Sequence, residues 1–419
     1  MSRISSLLAI LVLSSSVSAQ CEVVYSPEYS RVDRAPVRDF FVETSRGLAG
    51  GERNRLFLAD EFLSAFDGAS WQAGAGQLFV APTGQIPAIG GPPAQLLPYD
   101  DGNGPGILAL VGDGLFLVRD GQVTTLPSSF GFFIGTTAEL ECAAVYDDGT
   151  GPALYVGGFF ERPASNIARF DGTSWSSVGA GLDRVVSSLV VHDFGSGPVL
   201  VAGGRFTQSG TQTVGRVAAW DGTAWSSVGA SPPDGPVRTL EVWNDGTTTR
   251  LVAGGRFATA DGQVCNSLAS FGFGVWTPFG GGVNLAGTGE DGGVNVIEAR
   301  DEGGAQEVLL VGGRFLAVDG VSANSAARLE SGVWTDYGAG LAPLDGFVDV
   351  FAFDEYEFQS GTADVIGGSF AVGTDLVEGA ARREGSNWIP ITERQVPIQN
   401  VRDAVVWDDG NESMLYVAG

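Results

Sequence analysis

The sequence predicts an all-β protein built from repeated four-stranded antiparallel sheets, and three observations support this fold class. The phrase "LVAGGRF" occurs at residues 200–206 and again at 251–257, and a near copy, "LLVGGRF", occupies 309–315. Short apolar runs rich in Val, Leu and aromatic residues are separated by Asp-Gly turn signals, which is typical of strands joined by hairpins. Beyond the N-terminal leader, no window of about 11 residues shows a helical hydrophobic period.

Two ladders of residues define the repeat. The first is a Gly-Gly pair, at Gly157 and Gly158, Gly203 and Gly204, Gly254 and Gly255, Gly312 and Gly313, and Gly367 and Gly368, with Gly419 entering the next pair. The second is a tryptophan, at Trp71, Trp175, Trp225, Trp276, Trp334 and Trp388. Successive members of the first ladder stand 46 to 58 residues apart. The wide gap between the first two tryptophans holds one degenerate unit at 109–126, with Gly112 in the glycine position.

Each unit contains four apolar runs. In residues 185–229 these are "VVSSLVVH", "VLVAGGRF", "VAAW" and "AWSSVG". Four strands in a period near ~50 residues predict the blades of a β-propeller. Seven units are complete and begin near Val37, Ala94, Ala138, Val185, Pro236, Val294 and Phe347.

A partial eighth unit, "NVRDAVVWDDGNESMLYVAG", ends at Gly419 inside the glycine motif. Two explanations are open. The chain continues beyond this sequence, which the position of the end favours, or "CEVVYSPEYSRV" (21–32) supplies the outer strands that complete the eighth blade. Such a clasp would remove the open sheet edges.

The repeats resemble a known type. The segment "LYVGGFFERPASNIARFDGTSWSSVGAGL" (154–182) resembles kelch repeats and, more closely, the "LYVGGxF…IARWDGxxW" repeats of secreted bacterial proteins and of fungal cortical proteins of the Rax2 type. The resemblance covers about residues 37 to 419 and implies a propeller, but it specifies no activity. Because the glycines and tryptophans recur in almost every unit, we interpret both ladders as packing common to the blades.

The N-terminus predicts export. Arg3, the apolar run "ISSLLAILVL" and the small residues before Gln20 form a signal peptide over residues 1–19, cut after Ala19. A lipid anchor at Cys21 is the alternative, which Gln20 fits poorly. The predicted organisation is then a segment at 20–36, a possible closing strand, and a propeller over 37–419. We expect a secreted protein, extracellular or periplasmic, with no transmembrane segment.

Composition excludes several functions. The net charge of −26 argues against nucleic acid and anionic membranes as partners. All 23 basic residues are arginine, so lysine chemistry is excluded as a mechanism. The three cysteines (Cys21, Cys142 and Cys265) allow at most one disulfide and do not specify which. His192 is the only histidine and fills an aromatic packing position. A copper centre like that of galactose oxidase, which needs two histidines, is excluded. We predict no catalytic residue and no cofactor other than possible calcium.

Two groups of residues are candidates for ligand binding. Arg205, Arg256 and Arg314 follow Gly-Gly in three units and converge on one propeller mouth, where they suit a carboxylate or sulfate. Pairing with carboxylates of neighbouring blades is the alternative, which the acidity of the chain favours. The acidic turns offer Asp147, Asp148, Asp408 and Asp409 to Ca²⁺. Ordinary hairpin-turn chemistry is the alternative and the favoured interpretation there.

The leading functional hypothesis is a secreted, non-enzymatic propeller that presents loops to a protein or glycan ligand, and we expect a monomer. A carbohydrate-active enzyme using channel carboxylates is the second hypothesis. A calcium-binding adhesion module is the third.

Overall fold

A computed structural model describes residues 63–66, 71–72, 93–119, 122–127, 130–131, 138–286, 292–304, 306–344, 346–358, 361–373, 377–391, 401–408 and 413–418. Every regular element among them is a β-strand, and the sheets form a β-propeller of antiparallel, four-stranded blades. The predicted fold class is therefore confirmed.

The strands fall into blades in chain order. Blade 1 contains β3 (Gln95–Asp100), β4 (Pro105–Val111), β5 (Gly114–Arg119) and β6 (Gln122–Thr125). Blade 2 contains β7 (Glu139–Asp147), β8 (Pro152–Phe159), β9 (Ile167–Phe170) and β10 (Trp175–Ser177). Blade 3 contains β11 (Val186–Asp193), β12 (Pro198–Gly204), β15 (Val217–Trp220) and β16 (Trp225–Ser227), with the added hairpin β13 (Gln208–Ser209) and β14 (Gln212–Thr213).

Blade 4 contains β17 (Val237–Asn244), β18 (Thr249–Gly255), β21 (Leu268–Gly272) and β22 (Val275–Pro278), with the hairpin β19 (Thr259–Ala260) and β20 (Gln263–Val264). Blade 5 contains β24 (Gly293–Arg300), β25 (Val308–Val318), β27 (Ala326–Glu330) and β28 (Val333–Asp336), with β23 (Val283–Leu285) and β26 (Val321–Ser322) on the extended β25. Blade 6 contains β30 (Asp349–Phe358), β31 (Gly361–Val372), β32 (Val377–Glu384) and β33 (Asn387–Pro390), with β29 (Ala342–Pro343).

The last sheet, here called the closing blade, takes strands from both ends of the described chain. It contains β1 (Leu63–Phe66), β2 (Trp71–Gln72), β34 (Asp403–Asp408) and β35 (Ser413–Ala418), in the order β2-β1-β35-β34. Strand β1 pairs antiparallel with β35, so that Leu63 lies opposite Ala418 and Phe66 opposite Leu415. This order puts β1 and β35, which come from opposite ends of the described chain, in the middle of one sheet, so that neither is an edge strand.

This closing blade corrects the predicted count of seven complete units and a partial eighth. The third and fourth runs of the first unit complete the sheet of the last unit, so the described residues form six blades of contiguous strands and one composite blade. The outer strands of the closing blade come from 63–72, whereas the predicted clasp took them from 21–32. The segment 21–32 and the unit start at Val37 lie outside the described residues, as do the signal peptide and Cys21.

The first strand of each blade, here called the inner strand, lines the central channel. These strands contact one another in the order β3, β7, β11, β17, β24, β30 and β34, and β34 returns to β3. Side chains cap amides of the next inner strand at the junctions. The Leu240 N–H donates to Ser188 Oγ over 3.0 Å, and the Leu96 N–H donates to Asp403 Oδ2 over 2.6 Å. The second of these bonds links the closing blade to blade 1.

The repeated Gly-Gly pair lies opposite a bulge in the inner strand. In blade 3 the register shifts between Val186 and Ser188, opposite the glycine pair, and blades 2, 4, 5 and 6 shift at the same place. A Cβ on the second glycine of each pair would lie 2.1–2.2 Å from a carbonyl oxygen at the start of its own blade's inner strand or directly before it. A Cβ on the first would lie 2.4–2.9 Å from a valine Cγ1 of the next blade. Both positions therefore exclude a side chain for packing reasons.

Gly112 does not occupy this position. Strand pairing puts Leu110 opposite Gln95, so the place of the first glycine in blade 1 is filled by Leu110. Gly112 instead begins the two-residue turn between β4 and β5, with φ of 56°, a conformation that glycine adopts without strain. Blade 1 has no bulge in its inner strand, which removes the need for glycine there.

The tryptophan ladder joins the outer strands of adjacent blades. The Trp225 indole donates to the Val178 carbonyl over 3.0 Å, and the Trp276 indole donates to the Val228 carbonyl over 2.8 Å. Trp175 and Trp388 donate in the same way to carbonyls of the preceding blade. Trp334 is buried and packs on Phe279 with ring centroids 6.0 Å apart. The side chain of Trp71 lies outside the described residues.

Candidate functional site

A cavity of about 1090 Å³ opens at one mouth of the central channel, and residues from all seven sheets line it. This mouth lies where the inner strands begin and the second strands end. We call this side of the propeller the arginine face. The opposite side carries the turns between first and second strands and between third and fourth strands, and we call it the turn face.

Four arginines line the cavity. Arg205 and Arg314, two of the three predicted residues, are joined by Arg238 and Arg402, whereas Arg256 is not among the lining residues. Arg205 and Arg402 are exposed. Their guanidinium groups are therefore accessible from the open mouth of the cavity.

Two of these arginines have neighbouring-blade partners. Arg314 Nε donates to both oxygens of Asp349, in the inner strand of blade 6, over 2.9 Å, and its guanidinium lies 5.0 Å from the Phe347 ring centroid. Arg238 donates to Asn295 Oδ1 over 2.8 Å. Pairing with a carboxylate of a neighbouring blade is the predicted alternative to ligand binding. Arg314 shows this pairing, because its guanidinium binds Asp349 of blade 6.

Arg238 lies in the inner strand β17 and Arg402 directly precedes the inner strand β34, so neither follows the Gly-Gly motif through which Arg205 and Arg314 were predicted. Arg238 stands at the bulge of β17, and Arg402 takes the corresponding place, since it follows Val401 as Phe351 follows Val350. The residues at this position differ from blade to blade: Glu141, Ser187, Arg238, Asn295, Phe351 and Arg402. Aligning the units on their first apolar run, rather than on the glycines, would have revealed this variable position.

Carboxylates share the mouth with the arginines. Asp113, Glu139 and Glu141 line the cavity. Burial raises the pKa of Glu141, and the nearby negative charge of Glu139 adds to this shift. A hydrogen bond with Ser187 and the positive charges of Arg205 and Arg402 act in the opposite direction and are outweighed. The mouth therefore offers fixed positive donors and carboxylate acceptors side by side.

Deeper in the channel, three inner strands present carboxylates at one level. Glu241, Glu298 and Asp354 occupy equivalent places in blades 4, 5 and 6, opposite Val252, Leu310 and Val365. Burial raises the pKa of Glu241 to about 8, and the charges of Glu298 and Glu307 add to this shift. Burial likewise raises the pKa of Asp354 to about 6.

Asp403, at the junction between the closing blade and blade 1, titrates in the same range. Burial raises its pKa to about 7, although it accepts hydrogen bonds from the Leu96 and Ala404 amides. Because the folded-state pKa lies above that of the unfolded chain, the folded state binds more protons between about pH 4 and 7. The resulting stabilisation is fully present below this window and is lost as the pH rises through it.

We expect the melting temperature to fall between pH 5 and pH 8, and Asp403→Asn to make this fall shallower. The asparagine keeps an acceptor for the Leu96 amide but does not ionise. Each tenfold change in proton affinity corresponds to about 1.4 kcal/mol. Asp193→Asn is the control, because amides of Gly195 and Gly197 lower the pKa of that exposed carboxyl. Parallel pH profiles for Asp403→Asn and the unmodified protein would contradict the assignment.

The acidic turns use their carboxylates within the hairpins. Asp147 accepts hydrogen bonds of 2.9 Å from the Gly149 and Gly151 amides. Asp148 accepts from the Tyr155 hydroxyl over 2.9 Å and forms an ion pair with Arg169. The described part of the chain contains no group of three or more His, Cys, Asp or Glu side chains arranged for a metal ion. The Asp408 side chain and Asp409 lie outside the described residues, so calcium binding stays a prediction.

His192 and the cysteines have packing environments. His192 is buried, packs edge-on against Phe194 with ring centroids 4.6 Å apart, and has its pKa lowered by burial. Cys142 and Cys265 are both buried free thiols. Among the residues described, no helix is long and apolar enough to cross a membrane.

These features define a β-propeller of four-stranded blades with a mixed-charge channel mouth. No family model matches the sequence, and no curated protein matches it. Among solved structures, the chain is similar to the extracellular domain assigned to a hybrid two-component system of B. thetaiotaomicron, with 10% identity, a TM-score of 0.43, and coverage of 78% of this chain and 37% of that one. The chain thus spans little more than a third of that structure's length.

Two further solved structures are similar to the chain at low identity. BBS1N in complex with ARL6DN has 12% identity and a TM-score of 0.45, with 79% of this chain and 93% of that one covered. The C-terminal WD40 domain of Sif2 has 12% identity and a TM-score of 0.39, covering 77% of this chain and 93% of that one.

Proposed function

We propose that the protein is a secreted, non-enzymatic β-propeller that binds an acidic glycan at the channel mouth on its arginine face. The observation that carries this proposal is the composition of the cavity wall, where four arginines share the mouth with carboxylates and amides and the lining residues come from all seven blades. Export is inferred from the N-terminal signal sequence.

The arginines favour an anionic group on the ligand. A guanidinium presents a planar fork of donors that matches a carboxylate or a sulfate. Arg205 and Arg402 are exposed, and they lie near enough to Glu141, on blade 3 and beside the closing blade, for their positive charges to lower the pKa of that carboxyl. A ligand carboxylate between them would receive donors from two directions.

The other wall residues favour hydroxyl groups on the same ligand. Glu139, Glu141 and Asp113 accept hydrogen bonds when ionised, and Gln95 and Asn295 add amide groups. With a net charge of −26, the chain repels densely charged polyanions. A glycan with many hydroxyls and few carboxylates satisfies both sets of groups, and a cavity of about 1090 Å³ accommodates several sugar residues.

A carbohydrate-active enzyme is the second candidate. Glu241, Glu298 and Asp354 lie at one level of the channel, and this arrangement favours an enzyme. A carboxyl that is protonated near neutral pH can act as a general acid. Release of new reducing ends from a bound glycan would distinguish this function from binding alone.

The test is calorimetric titration with a tetrasaccharide that carries a single uronic acid, with the methyl ester of the same tetrasaccharide as the neutral reference. We expect the acidic oligomer to bind and the double variant Arg205→Gln/Arg402→Gln to bind about tenfold more weakly or worse, a loss of about 1.4 kcal/mol or more. Arg119→Gln is the matched control, since Arg119 pairs with Asp101 on the turn face. Equal affinity in the double variant, or no binding by the unmodified protein, would refute the proposal.

A further inference from the structure

A separate cavity of about 530 Å³ opens on the turn face between blades 3 and 4. Its walls include Phe194, Phe271 and Phe273. The Phe194 and Phe271 rings meet edge-to-face with centroids 5.5 Å apart, and Phe194 is 40% exposed. Phe273, in the turn between β21 and β22, is 85% exposed. This cavity therefore presents accessible aromatic rings.

Phe273 has a backbone conformation that a phenylalanine rarely adopts. It has φ of 54° and precedes Gly274, with φ of 86°, in a two-residue hairpin turn. A bulky side chain is unfavourable in this region of backbone space. The corresponding turn residue is Ser331 in blade 5 and Gly385 in blade 6, both with positive φ. Since a small residue serves the turn equally well, the exposed ring is not explained by the fold.

Hydroxyl groups surround the aromatic rings. Ser226, Ser227, Thr248 and Thr249 line the same cavity, together with Asp193. A pyranose combines the two complementary properties, because its C–H faces pack on the negative face of an aromatic ring and its hydroxyls exchange hydrogen bonds with such side chains. A mostly apolar wall with a few polar groups is the usual composition of a small-ligand site.

We propose that this cleft between blades 3 and 4 binds a neutral hexose residue of a glycan, with Phe273 as the stacking platform. Arg250, whose guanidinium lies 5.7 Å from the Phe273 ring centroid, supports the ring from the protein side and pairs with Asp245. The site lies on the opposite face from the arginine-lined mouth and recognises ring faces and hydroxyls rather than charge. It stands independently of the function proposed for that mouth.

The experiment titrates the mature protein with neutral tetrasaccharides built from glucose, mannose or galactose. We expect at least one series to bind, with an affinity that is insensitive to salt. Phe273→Ser is expected to weaken that binding about tenfold or more, equivalent to about 1.4 kcal/mol. Serine is the residue of the corresponding turn in blade 5, so the variant should melt at the same temperature as the unmodified protein or higher.

Two controls make the outcome decisive. Leu316→Ser removes another exposed apolar side chain, 57% exposed in β25, and should leave hexose binding unchanged. Arg205→Gln/Arg402→Gln should also leave it unchanged, which separates this site from the channel mouth. No binding of any neutral series, or equal binding by Phe273→Ser, would overturn the proposal.

Discussion

Gly367→Ala is expected to lower the melting temperature by roughly 3–4 °C, the consequence of about 3 kcal/mol of overpacking in a chain of this size. The added Cβ would lie 2.4 Å from Cγ1 of Val401, a fully buried residue of the closing blade. Neither side can retreat easily, because Gly367 is in the middle of a sheet and Val401 precedes the inner strand β34. Thermal unfolding followed by circular dichroism measures the change.

Val401→Ala should rescue this variant in part. Truncating the valine removes the Cγ1 atom that the new methyl group meets, so the double variant should be more stable than the sum of the single changes predicts. Gly131→Ala is the control, because a Cβ there would meet nothing within 4 Å. Additive effects of Gly367→Ala and Val401→Ala would show that the two residues do not pack against each other across the blade junction.

The second prediction concerns the closing blade. In the pairing of β1 with β35, Ser64 lies directly opposite Val417. Directly opposite residues of antiparallel strands have Cα atoms about 4.5–5.5 Å apart, within the range that a disulfide spans. Ser64→Cys/Val417→Cys should therefore form a disulfide. Because it closes a loop of about 350 residues, the chain-entropy account gives about 6 kcal/mol of stabilisation, less any strain.

Reduction supplies the control for this prediction. The oxidised double variant should melt well above the same protein after reduction, whereas each single cysteine variant should melt alike in both conditions. A disulfide that forms but leaves the melting temperature unchanged would mean that the ends are close but the closing sheet contributes little to stability.

Much of the fold follows from the sequence because each blade repeats the same physical problem. The Gly-Gly pair recurs because its backbone packs against the bulge of its own inner strand and against a valine of the next blade. Trp225 and Trp276 recur because their indoles form the hydrogen bonds between the outer strands of adjacent blades. The predicted number of units was wrong because the local pattern at 63–72 looks like part of a complete N-terminal unit. Pairing between distant strands is not encoded in local periodicity, so the partner of β1 could not be read from the repeat.

The candidate sites were harder to predict than the fold. Arg205 and Arg314 follow the glycine motif and were found through it, but Arg402 directly precedes the inner strand β34, where no tryptophan or glycine motif marks it. Phe273 was visible in "FGFGVW" only as a departure from "FDGTSW" and "WDGTAW". Its positive φ and its exposure depend on the turn geometry, which the letters alone do not give.

The most direct test of the closed ring is peptide mapping of the oxidised Ser64→Cys/Val417→Cys protein by mass spectrometry under non-reducing conditions. The account predicts one dominant disulfide-linked peptide pair joining residue 64 to residue 417 within single chains. Ser64→Cys/Leu415→Cys, displaced along β35 from the pairing register, should cross-link far less. Failure of residues 64 and 417 to cross-link in the folded protein, or equal cross-linking in the displaced pair, would contradict closure through β1 and β35.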